Sequence, residues 1–78
     1  MNENELSEKI IGLAIKVHSA LGPGLLESAY EKALVYELTK NGFQVETQKS
    51  IHINYEGILI EEGYRADIIV NDLVILEL

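Results

Sequence analysis

Two carboxylates set in apolar sequence are the residues of this chain best placed to do chemistry. Asp67 is followed by Ile68-Ile69-Val70, and Glu77 is preceded by Leu73-Val74-Ile75-Leu76. Both runs are nearly continuous and rich in β-branched residues, the pattern of strands buried on both faces. An ionised carboxylate in such a strand is costly unless a cation or hydrogen bonds compensate it. Two of them on neighbouring strands suggest a divalent-metal site, and their oxygen donors suit a hard cation such as Mg²⁺.

Strand parity decides whether the two can share an ion. With a two-residue turn at Asn71-Asp72, Val70 pairs with Leu73 and Asp67 lies opposite Leu76, so Glu77 points to the other face. A three-residue loop, or a bulge, shifts the register by one. Asp67 is then expected to face Ile75, with Glu77 as its diagonal neighbour on the same face, roughly 7 Å away between Cβ atoms. The metal reading therefore requires an odd-length turn or a bulge. The competing reading makes one carboxylate a solvated edge residue and pairs the other with Arg65 or a lysine.

Glu27 is the third candidate. It follows the Gly22-Pro23-Gly24 break at the start of a helix. An acidic residue in a first turn stabilises a helix by about 0.3–1 kcal/mol, which alone explains it. Its functional role would be a third carboxylate reaching the metal site from the helix. The Gly22-Pro23-Gly24 segment lacks the lysine and spacing of a phosphate loop and reads as a tight interhelical turn. His18 and His52 have no metal-ligand spacing. Tyr30 and Tyr64 read as core-edge aromatics whose hydroxyls find polar partners. Glu61 and Glu62 read as a solvated loop.

The elements that must position these residues follow from periodicity. Ile10, Leu13, Ala14, Val17 and Leu21 recur at helical spacing, which predicts a helix over roughly residues 5–21. A second helix is predicted over 25–41, with Leu26, Ala29, Tyr30, Ala33, Leu34 and Leu38 on its apolar face. Asn41-Gly42 is its stop signal. From Phe43 the pattern changes to period two. Glu56-Gly57 is a hairpin turn, Glu61-Glu62-Gly63 marks a loop or bulge in the return strand, and Asn71-Asp72 makes the last turn. The expected fold class is α+β: two N-terminal helices followed by a three-stranded antiparallel meander.

Composition bounds the rest. The chain has 78 residues, 47% of them hydrophobic, and no cysteine, so it makes one small domain with a limited core and no disulfide or thiolate-metal support. Its N-terminus, MNENELSEK, has neither the basic nor the apolar region of a signal peptide, and no apolar run approaches spanning length. The expectation is a cytoplasmic protein that does not enter membranes. The formal charge of −7 is the wrong sign for gripping a nucleic-acid backbone through Lys and Arg.

Several spaced motifs carry a resemblance. Gly24-Leu25-Leu26-Glu27-Ser28-Ala29-Tyr30 reads G-x-x-E-x-x-Y; Gln48, Ile53-Asn54-Tyr55-Glu56-Gly57, Gly63-Tyr64-Arg65-Ala66-Asp67 and Ile75-Leu76-Glu77-Leu78 come after it in order. The chain resembles the GxxExxY family, which is similar to the PD-(D/E)XK nuclease superfamily, from about Glu8 onward. The resemblance implies a restriction-endonuclease-like core, C-terminally truncated here, as a single incomplete domain over residues 1–78. It implies catalytic roles for Glu27, Asp67 and Glu77. It gives the metal site as Asp67, Glu77 and the backbone carbonyl of Leu78. The motif lysine would be residue 79, so this chain is expected to be inactive by itself. The parent protein is expected to be a Mg²⁺-dependent nuclease on DNA or RNA. The rival reading is a non-catalytic binding or assembly module on the same fold; a small-molecule-binding protein is a third. A homo-oligomer through the exposed C-terminal strand or sheet face is expected, because missing elements would leave Leu73-Val74-Ile75-Leu76 uncovered.

Overall fold

The computed structural model describes residues 1–78, with Glu62 described by its backbone alone. Two helices, α1 (Glu3–Leu21) and α2 (Glu27–Lys40), precede three strands, β1 (Val45–Tyr55), β2 (Ile58–Val70) and β3 (Val74–Leu76). The strands form one antiparallel sheet in the order β1-β2-β3. The class is α+β, as the change from helical to period-two patterning predicts.

Helix α1 begins earlier than its apolar periodicity indicates. The Asn2 side chain accepts a hydrogen bond from the Glu5 N–H at 2.9 Å and so satisfies one of the four unpaired donors of the first turn. Glu3 and Glu5 in that turn complement the dipole. Leu6, Ile10 and Val17 form the buried stripe, with Leu13 and Ala14 packed beside it. Leu21 lies exposed, off the core. In α2, Leu34 and Leu38 are buried and Tyr30 and Ala33 pack against them. Leu26, expected on that apolar face, is instead the N-cap residue and 79% exposed. The helix stops at Asn41-Gly42: Gly42 takes φ 85°, and the Phe43 N–H returns to the Leu38 carbonyl at 3.1 Å, a left-handed cap that glycine adopts without steric cost.

The first hairpin closes on Glu56-Gly57, with Tyr55 paired to Ile58. Both turn residues have positive φ, as the type I′ turn of a two-residue hairpin requires. Glu61-Glu62-Gly63 does not interrupt β2, which runs on to Val70. It lies where the register against β1 shifts: Ile51 pairs with Tyr64, but Ile53 pairs with Ile60. The longer β2 backbone bulges there, and Gly63 lies under Ile53 so closely that a Cβ on Gly63 would collide with that side chain.

The turn from β2 to β3 corrects the parity argument. Asn71 and Asp72 both adopt positive φ, and the Leu73 N–H closes the turn on the Val70 carbonyl at 3.0 Å. Pairing then resumes at Val70↔Val74, with Ile69↔Ile75 and Ile68↔Leu76. The loop therefore has three residues, and Ile75 does not face Asp67. Asn71 explains the extra residue. Its N–H donates to the Gln44 carbonyl at 2.8 Å, and its side chain accepts from the Gln44 N–H at 2.7 Å. The turn is thus anchored to the segment entering β1.

The core lies between the helices and one sheet face. Ala66, Ile68 and Val70, at alternate positions of β2, are fully buried. Val74 and Leu76 of β3 pack on the same cluster. Complete burial of a side chain such as Ile68 contributes about 1.5–3 kcal/mol. The period-two pleat then assigns Asp67 and Ile69 to the opposite face of β2, and Ile75 and Glu77 to that of β3.

Candidate metal and catalytic site

Asp67 sits one step beyond the last β2–β3 pair. β3 ends at Leu76; one further step of the Ile68↔Leu76 register would set Glu77 opposite Asp67 rather than diagonal to it. The backbone closes this end: the Leu78 N–H donates to Oδ2 of Asp67 at 2.9 Å. Such a bond to a carboxylate is charge-assisted and stronger than a neutral one. Asp67 is half-buried between the fully buried Ala66 and Ile68. Rigid neighbours thus hold its backbone while its carboxylate reaches the end of β3.

The other oxygen of Asp67 faces Gln48. The Gln48 side-chain amide donates to Oε1 of Glu31 at 2.8 Å and approaches Oδ1 of Asp67 at 3.5 Å. Glu31 lies on α2, one turn after Glu27. Glu27, Ser28, Glu31 and Gln48 line one small open cleft. The helix carboxylate linked through Gln48 toward Asp67 is therefore Glu31, while Glu27 is an exposed lining residue of the cleft. Glu77 is turned another way: its Oε1 accepts from the Tyr64 hydroxyl. Among the described residues no three His, Asp or Glu side chains gather as a ligand group. The arrangement brings Asp67 to the Glu77–Leu78 backbone and leaves Glu27 outside that contact.

Tyr30 controls where Glu27 begins its helix. Its hydroxyl donates to the Gly22 carbonyl at 2.5 Å and accepts from the Leu25 N–H at 3.2 Å. One side chain thus fastens both ends of the interhelical turn. The His18 ring lies 5.7 Å from the Tyr30 ring, centroid to centroid. His18, Tyr30, Ala14, Val17, Leu34 and Leu78 line an apolar cleft.

The ion pairs lie away from Asp67 and Glu77. They are Lys16–Glu37 at 3.1 Å across the helices and Lys49–Glu46 at 2.8 Å within β1, so neither site carboxylate takes Arg65 or a lysine as partner among the described residues. The Lys49 hydrogen bond holds the Glu46 carboxyl below its ordinary value, and Glu46 in turn raises Lys49. Lys49 is exposed and Glu46 only partly covered, so the pair reports on the surface alone.

By the chemistry of its donors, though with Glu77 turned to Tyr64, the set suits a hard divalent ion. Asp67, Glu77 and the Leu78 carbonyl offer only oxygen, and Mg²⁺ commonly takes one or two protein carboxylates and keeps several waters. Gln48, Glu31 and Tyr64 are the neighbours that sequence reasoning missed as site residues. Gln48 and Tyr64 stand in the motif segments, and the Tyr64 hydroxyl finds the polar partner expected of it in Glu77; no local pattern signals the contact of Glu31.

A family model for the PD-(D/E)XK nuclease superfamily matches residues 4–78. No curated protein and no solved structure matches the chain.

Proposed function

The chain belongs to the PD-(D/E)XK nuclease superfamily, and from that premise we propose that it supplies the carboxylate half of a Mg²⁺-dependent phosphodiesterase site for DNA or RNA. The observation that carries this reading is the Leu78 N–H bond to Asp67, made just beyond the last paired residues, Ile68 and Leu76. Asp67 and Glu77 would hold the ion, with the Leu78 carbonyl as a third oxygen. The bound ion would stabilise phosphate charge and lower the pKa of a coordinated water. Glu27, exposed along the same cleft, would orient water arriving from solvent. Tyr64 holds the Glu77 carboxylate by a hydrogen bond that metal binding would exchange. The G-x-x-E-x-x-Y segment supports the narrower reading that, within the superfamily, the chain is of the GxxExxY type. There Tyr30 fixes the turn that presents Glu27. Residue 79, the lysine position of the E-x-K pattern, lies outside the 78 residues of the sequence.

The test is Mg²⁺-dependent cleavage of labelled single- and double-stranded DNA and RNA by a longer protein that contains this chain and extends past residue 79. Wild type is compared with Asp67→Ala and Glu77→Ala. Loss of cleavage in both folded variants is the expected result. Equal cleavage by wild type and Asp67→Ala would reject the assignment.

A non-catalytic assembly module is the second reading, favoured by the charge of −7 and by apolar exposure along β3. Leu73, Ile75 and Leu78 are 42%, 48% and 45% exposed, beside a strand edge with unpaired backbone groups. The proposed partner is a second copy of the chain in a two-fold dimer. Sedimentation of a stable monomer at micromolar concentration would reject it. No helix among the described residues is long and apolar enough to cross a membrane, and a cytoplasmic location is proposed with the nuclease reading.

A further inference from the structure

Gln48 is the one β1 residue whose backbone departs from the strand while both neighbours stay in register. Thr47 pairs with Ile68 and Lys49 with Ala66, but the pair between them, Gln48 with Asp67, is missing from the ladder. Gln48 adopts φ 50°, the left-handed region that non-glycine residues seldom enter in the middle of a strand. Its side-chain nitrogen sits 2.8 Å from Glu31 and 3.5 Å from Asp67. A regular strand conformation would instead hold this side chain on the Asp67 face of the sheet, away from the helices. The strained backbone thus coincides with a side chain that spans from α2 to the central strand.

We infer that Gln48 is a positioning residue: its left-handed backbone turns the side-chain amide between Glu31 and Asp67, so that α2 fixes the orientation of the Asp67 carboxylate. The inference rests on the metal-site reading for its purpose, but the bridge itself is a property of the metal-free protein. The amide has two N–H donors and the two carboxylates have only acceptors. One Gln48 amide can therefore serve both carboxylates at once. Groups that hold a metal-binding side chain in this way commonly change metal affinity by ~10–100-fold when removed.

Two measurements separate this role from a structural one. The first is the Gln48 side-chain amide resonance in ¹⁵N–¹H spectra of the metal-free protein. It should move in both Glu31→Gln and Asp67→Asn; an unmoved resonance in both overturns the bridge. The second uses Gln48→Gly, because glycine accepts positive φ freely while it deletes the amide. This variant should unfold at the same or a higher denaturant concentration than wild type, yet bind Mn²⁺ at least ~10-fold more weakly. A lower unfolding midpoint with unchanged Mn²⁺ affinity would make Gln48 a structural residue and overturn the inference. If wild type and Asp67→Asn bind Mn²⁺ alike, the metal reading fails on its own, and the amide resonance still decides the bridge.

Discussion

The Tyr30 hydroxyl donates to the Gly22 carbonyl across the break between α1 and α2. The same oxygen receives the Leu25 N–H, so a residue inside the second helix closes the turn that leads into it. The helix has no side-chain cap at Leu26, which leaves this contact as a main local constraint on its start. Tyr30→Phe keeps the ring against the core and removes only the hydroxyl. It should cost about 0.5–1.5 kcal/mol in urea unfolding. An unchanged midpoint would show that the turn holds without it.

Gly63 and Ile53 make a second coupled pair. The Ile53 Cβ lies 3.2 Å from where a Gly63 Cβ would stand, and its outer carbons lie closer still. Gly63→Ala should therefore destabilise by about 1–3 kcal/mol, the usual range for overpacking. Ile53→Ala removes the obstructing atoms, so the double variant should be more stable than the sum of the single changes predicts. Additive losses would mean that Ile53 moves aside freely.

The register of β2 can be tested by two matched substitutions. Ile68 is fully buried, while Ile75 is 48% exposed on the other face. Ile68→Val should cost about 0.5–1.5 kcal/mol, and Ile75→Val should stay within about 0.5 kcal/mol, as surface changes usually do. Equal costs would contradict the assignment of the inner and outer faces. In a two-fold dimer through β3, Ile75→Val would instead give a loss that grows on dilution.

Some of this architecture is readable from local sequence and some is not. Asn41-Gly42 and Glu56-Gly57 mark their elements directly, because a left-handed cap and a type I′ turn depend on residues within one or two positions. The start of α1 is harder: Asn2 caps a polar first turn, and the first buried residue is Leu6, so apolar periodicity begins late. The β2–β3 register depends on Asn71 meeting Gln44, a contact between segments distant in sequence. Turn residues alone leave even and odd loops equally open, and the difference decides whether Asp67 faces Glu77. The helix neighbour of Asp67 escaped for the same reason. Motif spacing points to Glu27, whereas the link through Gln48 reaches Glu31 by a backbone conformation that composition does not signal.

The most direct test of the metal site is paramagnetic broadening of amide signals during Mn²⁺ titration of the 78-residue chain. Mn²⁺ stands in for Mg²⁺ because carboxylate, carbonyl and water ligands suit both ions. Broadening should begin at Asp67, Glu77 and Leu78, reach Gln48 next, and disappear from these positions in Asp67→Asn. Broadening centred on the acidic first turn at Glu3 and Glu5, or the same pattern in wild type and Asp67→Asn, would contradict a metal site at the end of β3.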